Sequence, residues 1–433
     1  MLDAQDAALV ADTSLYGSFR DSLRAPVHRW FSYPAGFSHR LVERKIHTAG
    51  VQVGDVIGDP FAGTGTTLLA AKLLGIRSIG TEAHPFVRWV ADTKLHLDFD
   101  LPRVKSDGEA VIRSAERQAA QSEFLGLWPD LIYKCFTTSN LQKLAALRGA
   151  ILDLDSQQPE TQLLKLALTS TLRVVTTAGA GWPYIAPSKY QARTVHRDAC
   201  HEFRCLLDLM ISDIETTRFV GQDAPHDLVQ GDARRFDEYF GNESATLLVT
   251  SPPYMNNYDY ADRTRLETYF WGLYTSWGEI TSRVRDHLIV AATTQVRVQS
   301  MNGIRTCPGI RQAAPGVYDR LQDIIARLGE MRQVKRGKKT YNLVTAGYFE
   351  DMLLALQACY KVLKWGGQLV LVLGDSAPYG VHIPTDELIG QLGESIGFTG
   401  YELEVLRQRG GKWGHNPQRH KVPLRESIVT LTK

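Results

Sequence analysis

Cysteine is scarce in this chain, and its few residues form no pattern. Five occur in 433 residues, and no two of them are spaced as Cys-x-x-Cys. They are Cys135, Cys200, Cys205, Cys307 and Cys359. So few scattered thiols predict neither a disulfide framework nor a zinc site, and they are typical of a reduced cytosolic protein. We therefore expect a cytoplasmic protein without a metal centre.

Long apolar runs are also missing. No segment approaches the roughly 20 apolar residues that a membrane-spanning helix needs. Residues 1–6 are acidic and lack a basic segment followed by an apolar run, so we expect neither a secretory signal nor a membrane partner. At 433 residues, the length favours two or three structural units over one small domain.

Net charge is small, +2 at pH 7, but it is unevenly distributed. Residues 281–345 contain twelve basic and four acidic side chains. Such an Arg-rich excess is typical of contacts with nucleic-acid phosphates, although a solvated surface helix and loop would have a similar composition. The candidate contacts are Arg297, Arg305, Arg311, Lys335, Arg336, Lys338 and Lys339.

Hydrophobic patterning divides the chain into two α/β blocks around a helical stretch. Residues 56–81 are predicted to form a strand, a glycine-rich turn, a helix and a second strand, which is a βαβ unit. Residues 96–225 have helical periodicity and few strand signals. In the second block one strand ends at residue 250, a turn at Gly366-Gly367 precedes another, and an antiparallel hairpin closes the chain.

The glycine-rich turn has the sequence Asp59-Pro60-Phe61-Ala62-Gly63-Thr64-Gly65-Thr66-Thr67. Its glycines permit a tight turn and close approach of a ligand, and the next helix presents N–H groups at its N-terminus. A dinucleotide fingerprint would need glycine where Leu68 stands, and a P-loop would need a Gly-Lys-Ser/Thr that is absent. Glu82 ends the next predicted strand, where an acid can accept two hydrogen bonds from a ribose diol.

A second motif, Ser251-Pro252-Pro253-Tyr254, follows the strand-like run at residues 245–250. Proline has no N–H and a fixed φ, so two consecutive prolines end the sheet ladder in a rigid loop. Ligands bind at this carboxyl edge in open α/β sheets. The loop offers a hydroxyl, a carbonyl and an aromatic ring, which suit a planar ring with an amino group. Tyr254 by itself is equally compatible with a role in capping the core.

Together the two motifs resemble the signature pair of DNA amino-methyltransferases, and more closely the cytosine-N4 branch of that family. The resemblance extends over residues 28–90 and 227–433. Its further segments are Trp30-Phe31-Ser32-Tyr33-Pro34-Ala35-Gly36-Phe37, Gly80-Thr81-Glu82-Ala83-His84-Pro85, Gly231-Asp232-Ala233 and Arg425-Glu426-Ser427-Ile428-Val429. The helical stretch carries no signature motif, and its position departs from the family's usual linear orders.

The resemblance implies an α/β fold with a Rossmann-like, seven-stranded, mostly parallel methyltransferase sheet, an inserted helical subdomain and a basic target-recognition region. Residues 1–95, 226–280 and 346–433 would form the catalytic domain, 96–225 the insert and 281–345 the DNA-recognition region. The implied cofactor is S-adenosylmethionine. Its implied binding residues are Tyr33, Phe37, Asp59, Phe61, Gly63, Gly65, Thr66, Thr67, Glu82 and Asp232. The implied catalytic residues are Ser251, Pro252, Pro253 and Tyr254.

These residue types suit methylation of an exocyclic amine. Such an amine is a weak nucleophile because its lone pair is delocalised into the ring. The Pro252 carbonyl and the Ser251 hydroxyl, as acceptors for its N–H groups, would favour a pyramidal nitrogen. Tyr254 would stack on the base, which is worth about 1–3 kcal/mol. The base must leave the duplex to reach this loop.

We therefore predict a site-specific methyltransferase that modifies cytosine N4 in double-stranded DNA. Serine at position 251, where the adenine enzymes more often carry Asp or Asn, favours cytosine over adenine N6. An RNA amino-methyltransferase and a nucleic-acid-binding protein without catalysis are the other hypotheses. A cognate restriction endonuclease acting separately is a compatible partner, and the oligomeric state is left open.

Overall fold

A seven-stranded sheet forms the centre of the molecule, with the strand order β3-β2-β1-β4-β5-β7-β6. The computed structural model describes residues 15–33, 36–119, 127–179, 185–187, 197–218, 220, 224–255, 259–296, 307–409 and 422–433. The strands are β1 (Val56–Asp59), β2 (Arg77–Thr81), β3 (His226–Val229), β4 (Ala245–Thr250), β5 (Leu363–Gly374), β6 (Gly400–Arg409) and β7 (Leu424–Thr432).

Four of the strand pairings are parallel and two are antiparallel. β1 pairs in parallel with β2 and β4, β2 with β3, and β4 with β5. β7 is antiparallel to both β5 and β6. The predicted seven-stranded α/β sheet and its closing hairpin are confirmed. Because β1 to β5 run in one direction, the loops that follow them meet at one edge, where ligands bind in such sheets.

Helices account for most of the remaining described residues. They are α1 (His39–Thr48), α2 (Thr66–Leu73), α3 (Pro85–Leu95), α4 (Leu101–Gln118), α5 (Asp130–Tyr133), α6 (Thr138–Leu152), α7 (Pro159–Val175), α8 (Ala199–Thr217), α9 (Phe236–Phe240), α10 (Tyr260–Arg263), α11 (Arg265–Phe270), α12 (Trp277–Arg283), α13 (Pro308–Ala313), α14 (Pro315–Val334), α15 (Tyr341–Val362) and α16 (Thr385–Ile396).

The turn between β1 and α2 depends on glycine. Gly63 and Gly65 have φ angles of 53° and 82°, in the left-handed region that residues with a Cβ rarely adopt. Gly65 is the N-cap of α2, in which all residues from Thr66 to Lys72 are buried. A helix of eight residues is marginal alone, so packing on all sides stabilises it.

Within residues 96–225 the described elements are mainly the helices α4 to α8, with an isolated antiparallel bridge between Gly179 and Ala186, and their core is continuous with that of the sheet. One cluster of buried side chains joins Leu164 and Phe203 of this insert to Trp30, Leu69 and Phe86. The insert and the N-terminal part of the chain therefore stabilise each other.

The segment at residues 281–345 contains both core and surface. α14 buries Leu321, Ile325 and Leu328 in the cluster that also contains the buried side chains of α15. The basic side chains at residues 335, 336, 338 and 339 are exposed. The apolar face of α14, within the predicted recognition region, thus belongs to the packed core.

The predicted turn at Gly366-Gly367 is wrong, because both residues lie within β5. Gly366 has a φ of 76°, and the register with β4 shifts between Ala245 and Leu247, as at a bulge. The Gly366 N–H donates to the Lys433 carbonyl, and the Lys433 N–H donates to the Gly367 carbonyl, each at 3.0 Å. Because these bonds pair residues 366 and 367 with Lys433, β5 continues across the irregularity.

No helix in the described ranges is both long and apolar enough to cross a membrane. Among the same residues, no group of three His, Cys, Asp or Glu side chains is placed to hold a metal ion. None of the five cysteines forms a disulfide with another; Cys205 is exposed and the other four are buried.

Candidate functional site

A cleft opens at the carboxyl edge of the sheet, between the loops that follow β1, β2, β3 and β4, with an empty volume of about 800 Å³ that includes the solvent at its mouth. The structure brings nine of the predicted site residues to its wall, from separate parts of the chain. They are Tyr33, Phe37, Phe61, Gly63, Thr66, Glu82, Asp232, Ser251 and Pro253. The two sequence motifs therefore face one cavity.

Glu82, at the end of β2, is fixed in this cleft by two backbone hydrogen bonds. Its Oε2 accepts the Gly63 N–H at 2.9 Å, and its Oε1 accepts the His84 N–H at 2.8 Å. Burial raises the pKa of Glu82 to about 7, and these hydrogen bonds oppose that increase. A carboxylate oxygen accepts more than one hydrogen bond, so Glu82 can still accept donors from a ligand in the cleft.

Asp59, Gly65 and Thr67 lie behind the cleft, outside its wall. The buried Asp59 carboxylate accepts the Phe61 N–H at 3.0 Å and the Thr250 hydroxyl at 2.5 Å. The Thr67 hydroxyl donates to the Val249 carbonyl at 2.8 Å. These bonds join the end of β1 to the end of β4 and so set the distance between the two motifs. Burial raises the pKa of Asp59 to about 6.

Asp232, which follows β3, lines the cleft but is already paired. Its carboxylate accepts the Arg234 backbone N–H at 2.9 Å and binds the Arg234 guanidinium. Arg234 also binds Asp351 of α15 at 2.7 Å, and Asp351 accepts the Val290 N–H at 2.9 Å. The position of Asp232 therefore depends on this network.

The Ser251-Pro252-Pro253-Tyr254 loop is divided between cleft and core. Ser251 and Pro253 line the cleft, whereas Pro252 is buried and Tyr254 is only 8% exposed. The Tyr254 hydroxyl donates to Glu426 of β7 at 3.0 Å, and its N–H donates to the Tyr260 hydroxyl at 3.2 Å. In this conformation Tyr254 anchors the loop, and its stacking on a base stays a prediction.

Residues 27–33 carry Tyr33 to the cleft, and the helical insert holds them in place. The Asp213 carboxylate of α8 accepts the Val27 N–H at 2.9 Å and the Trp30 indole N–H at 3.0 Å, and it forms an ion pair with Arg29. Val27 has a φ of 61°, which is strained for a β-branched residue. The Asp213 contact therefore holds a backbone conformation that the sequence disfavours.

A buried ionic cluster supports the same segment further along. Glu267 of α11 pairs with Arg173 of the insert at 2.5 Å and with Arg263 at 3.3 Å. Arg263 in turn donates to the Ser32 carbonyl at 2.8 Å, next to Tyr33. Burial opposes ionisation of Glu267, but its two arginines outweigh that effect and lower its pKa.

Several wall residues were not predicted as site residues from the sequence. They are His84, Tyr260, His287, Leu288 and Ile289. Burial lowers the pKa of His84 to about 4, so this side chain is neutral at pH 7. His84 lies two positions after Glu82 and could have been found from the motif. The others carry no local pattern, because only the tertiary fold brings them to the cleft.

The predicted nucleic-acid contacts are dispersed. Arg297 and Arg305 lie outside the described residues. Arg311 is exposed on α13, with its guanidinium 5.9 Å from the Tyr318 ring centre. Lys335, Arg336, Lys338 and Lys339 belong to residues 335–339, here called the basic loop, which follows α14.

Tyr379, in the loop after β5, holds the basic loop at the same edge of the sheet as the cleft. Its hydroxyl donates to the Lys339 carbonyl at 3.0 Å and accepts the Lys339 N–H at 3.1 Å, and its own carbonyl accepts Lys335 Nζ at 2.7 Å. Gly337 packs so closely that an added Cβ would lie 2.1 Å from the Tyr379 hydroxyl. The φ of Tyr379 itself is 55°. The basic loop is therefore fixed by close contacts.

The cleft belongs to a chain that is similar to DNA methyltransferases. A family model described as DNA methylase matches residues 14–91. The type II methyltransferase M.BsoBI of Geobacillus stearothermophilus is 23% identical, with 96% of this chain and 87% of the relative covered. The type II methyltransferase M.AvaI of Nostoc sp. is 25% identical, with 96% and 88% covered. These similarities support a methyltransferase enzyme and imply S-adenosylmethionine as its methyl donor.

A solved structure, the rRNA methyltransferase aviRa of Streptomyces viridochromogenes, aligns with 100% of this chain and 93% of that one. Its sequence identity is 11% and the TM-score is 0.27. Values this low carry no argument about function.

Proposed function

We propose that this protein is a site-specific DNA methyltransferase that transfers a methyl group from S-adenosylmethionine to the exocyclic N4 of a flipped-out cytosine. One observation carries the proposal: Ser251 and Pro253 line the same cleft as Gly63 and Glu82. The proposed target loop and the proposed donor site thus share one cavity. Positioning two reactants in this way accounts for much of the acceleration that such enzymes need.

The residues of the cleft fit S-adenosylmethionine. Glu82 would accept the ribose hydroxyl groups, and the glycine turn at Gly63 leaves room for close approach of the cofactor. Tyr33 and Phe37 would enclose the methionine end, and the segment at Asp232 the adenine end. When bound, S-adenosylmethionine supplies an electrophilic methyl group on a sulfonium centre.

Ser251 and the Pro252 carbonyl are the groups that we propose for orienting the target amine. As acceptors for its N–H groups they would direct the nitrogen lone pair toward the methyl group. No strong general base is required, because the methylated ammonium loses its proton readily. Tyr254 would need to give up its bond to Glu426 before it could stack on the base, so we propose it as a secondary contact.

Nucleoside mass spectrometry of DNA from a host that expresses the chain tests this proposal. N4-methylcytosine is the expected product. N6-methyladenine would contradict the cytosine assignment and support the adenine alternative, whereas the absence of any modified base would contradict DNA methylation. Ser251→Ala should abolish the product while S-adenosylmethionine binding, measured by calorimetry, persists. If Ser251→Ala also abolished cofactor binding, the separate roles that we assign would be wrong.

A further inference from the structure

A second cavity, with an empty volume of about 1050 Å³, lies between α3, α7 and the segment from Trp271 to Arg283. Its described lining shares two properties: broad aromatic or aliphatic surfaces and positive charge without a carboxylate. The lining residues are Pro85, Phe86, Trp89, Lys165, Gln230, Trp271, Leu273, Tyr274 and Arg283. None of them has a role in the cleft described above.

Lys165, on α7, is the central charge of this cavity. Its Nζ lies 4.9 Å from the Trp89 ring centre and 5.1 Å from that of Trp271. Burial and the nearby Arg148 lower the pKa of Lys165. Among the described residues no carboxylate forms an ion pair with it. In the part of the chain that the structure describes, the faces of two indoles are the contacts that compensate the ammonium, which leaves it able to bind an anion.

Arg283, at the end of α12, adds a second positive charge at the rim. It is exposed, and its guanidinium lies 5.9 Å from the Tyr274 ring centre. Aromatic cages of this kind would suit a cationic ligand, but two fixed positive charges repel one. An apolar ligand would leave both charges unsatisfied. A ligand with a flat ring and an anionic group satisfies the rings and the charges together.

The cavity adjoins the cleft along two stretches of chain. His84 lines the cleft and Pro85 the cavity, and Gln230 of the cavity precedes Gly231 of the cleft. It therefore lies at the β2–β3 side of the sheet edge, while the basic loop lies at the β5 side. A duplex across the cleft would have a positively charged contact on each side.

We propose that this cavity, here called the aromatic–cationic pocket, is a second nucleic-acid contact that binds a nucleotide of the DNA outside the target base. Lys165 and Arg283 each bind one of the two phosphates that flank this nucleotide, and the exposed surface of Trp89 contacts the base. The proposal rests on the proposed function, since it takes DNA as the substrate. The same chemistry would recognise a free nucleoside monophosphate, and the experiment separates the two sources.

Fluorescence anisotropy of a labelled 30-base-pair duplex, measured with the full chain over a series of salt concentrations, tests the pocket. The double variant Lys165→Gln/Arg283→Gln should weaken binding on the order of tenfold and lower the slope of log K against log salt by about 2, because two phosphate contacts are lost. Arg283→Gln alone should lower the slope by about 1; since Arg283 is exposed, this variant is expected to fold. Arg117→Gln removes one positive charge, as Arg283→Gln does, but on the exposed surface of α4. It should leave the duplex affinity and the salt slope unchanged.

Trp89→Leu tests the aromatic wall and should weaken duplex binding at least about fivefold. Trp365→Leu, at a residue 71% exposed in β5, is the matched control and should have no effect. Unchanged affinity and slope in the double variant would overturn the DNA contact. A second outcome would also overturn the DNA contact: Lys165 is needed for binding of thymidine monophosphate but not for binding of the duplex. Calorimetry with S-adenosylmethionine and nucleoside analysis report on methylation separately, so either proposal can fail alone.

Discussion

Two regions near the carboxyl edge of the sheet, residues 27–33 and the basic loop, are held in different ways. Residues 27–33 are fixed by buried polar partners, Asp213 and the Glu267 cluster, which come from distant parts of the chain. The basic loop is fixed by Tyr379 through contacts at the surface. Buried ionic groups are costly to unpair, whereas exposed ones contribute little to stability. In the function that we propose, the first region would couple cofactor binding to the stability of the fold, and changes in the second would alter DNA binding without destabilising the protein.

The largest effect is expected when Asp213, the buried partner of residues 27–33, is replaced. Asp213→Ala should lower the free energy of unfolding by about 3 kcal/mol, because Val27, Arg29 and Trp30 lose a common acceptor. Chemical denaturation measures the loss, and calorimetry should show weaker S-adenosylmethionine binding. Asp208→Ala, at an exposed position of the same helix, is the control. Equal stability of the two variants would contradict the buttressing role of the insert.

Substitutions in the exposed basic loop should change DNA binding rather than the stability of the fold. Replacing Lys335, Arg336, Lys338 and Lys339 with Gln should reduce duplex affinity on the order of 100-fold at 0.1 M salt and flatten its salt dependence. The unfolding midpoint should hardly change, since these side chains are exposed. An unchanged affinity would show that the basic loop is only a solvated surface.

The pH dependence of cofactor binding tests the role of Glu82 in the cleft. The pKa of Glu82 is raised by burial from 4.5 to about 7, and ribose donors favour its ionised form. Cofactor affinity should therefore increase roughly tenfold between pH 6 and pH 8, and binding near pH 7 should release a proton. Calorimetry in two buffers of different ionisation enthalpy measures that proton. No release near pH 7 would remove Glu82 from the binding site.

The raised pKa of Glu82 has the opposite effect on the free energy of unfolding, which decreases as the pH rises. Between pH 4.5 and about 7 the folded state binds the Glu82 proton more tightly than the unfolded state. The contribution of Glu82 to the free energy of unfolding is thus fully present below pH 4.5 and is lost as the pH rises through about 7.

The smallest effect is expected at Tyr379. Tyr379→Phe removes both hydroxyl bonds to Lys339 but keeps the ring, and exposed hydrogen bonds contribute only about 1 kcal/mol. DNA affinity should fall a few-fold by anisotropy, with cofactor affinity unchanged. A loss as large as that of the four-residue variant would mean that Tyr379 supports more than the basic loop.

The comparison also explains what could be predicted from the sequence. Gly63, Glu82 and Ser251 follow strands whose patterns are local, so the common edge of a parallel sheet could be anticipated. Asp213 gives no such signal, because its partner Val27 lies 186 positions earlier in the chain. The buried position of Tyr254 depends on Glu426 in β7. The bulge at Gly366 follows from pairing with Lys433, which no local pattern reveals.

The pairing of β1 with β4 has a consequence for how the protein is made. During synthesis Glu82 leaves the ribosome long before Asp213 and Ser251. At about 5–20 residues per second, an interval of roughly 10 to 30 seconds separates the two halves of the cleft. Throughout that interval the first βαβ unit has neither its neighbouring strand nor the insert on which residues 27–33 pack. We therefore expect the nascent N-terminal third to expose apolar surface until the insert and β4 have been made.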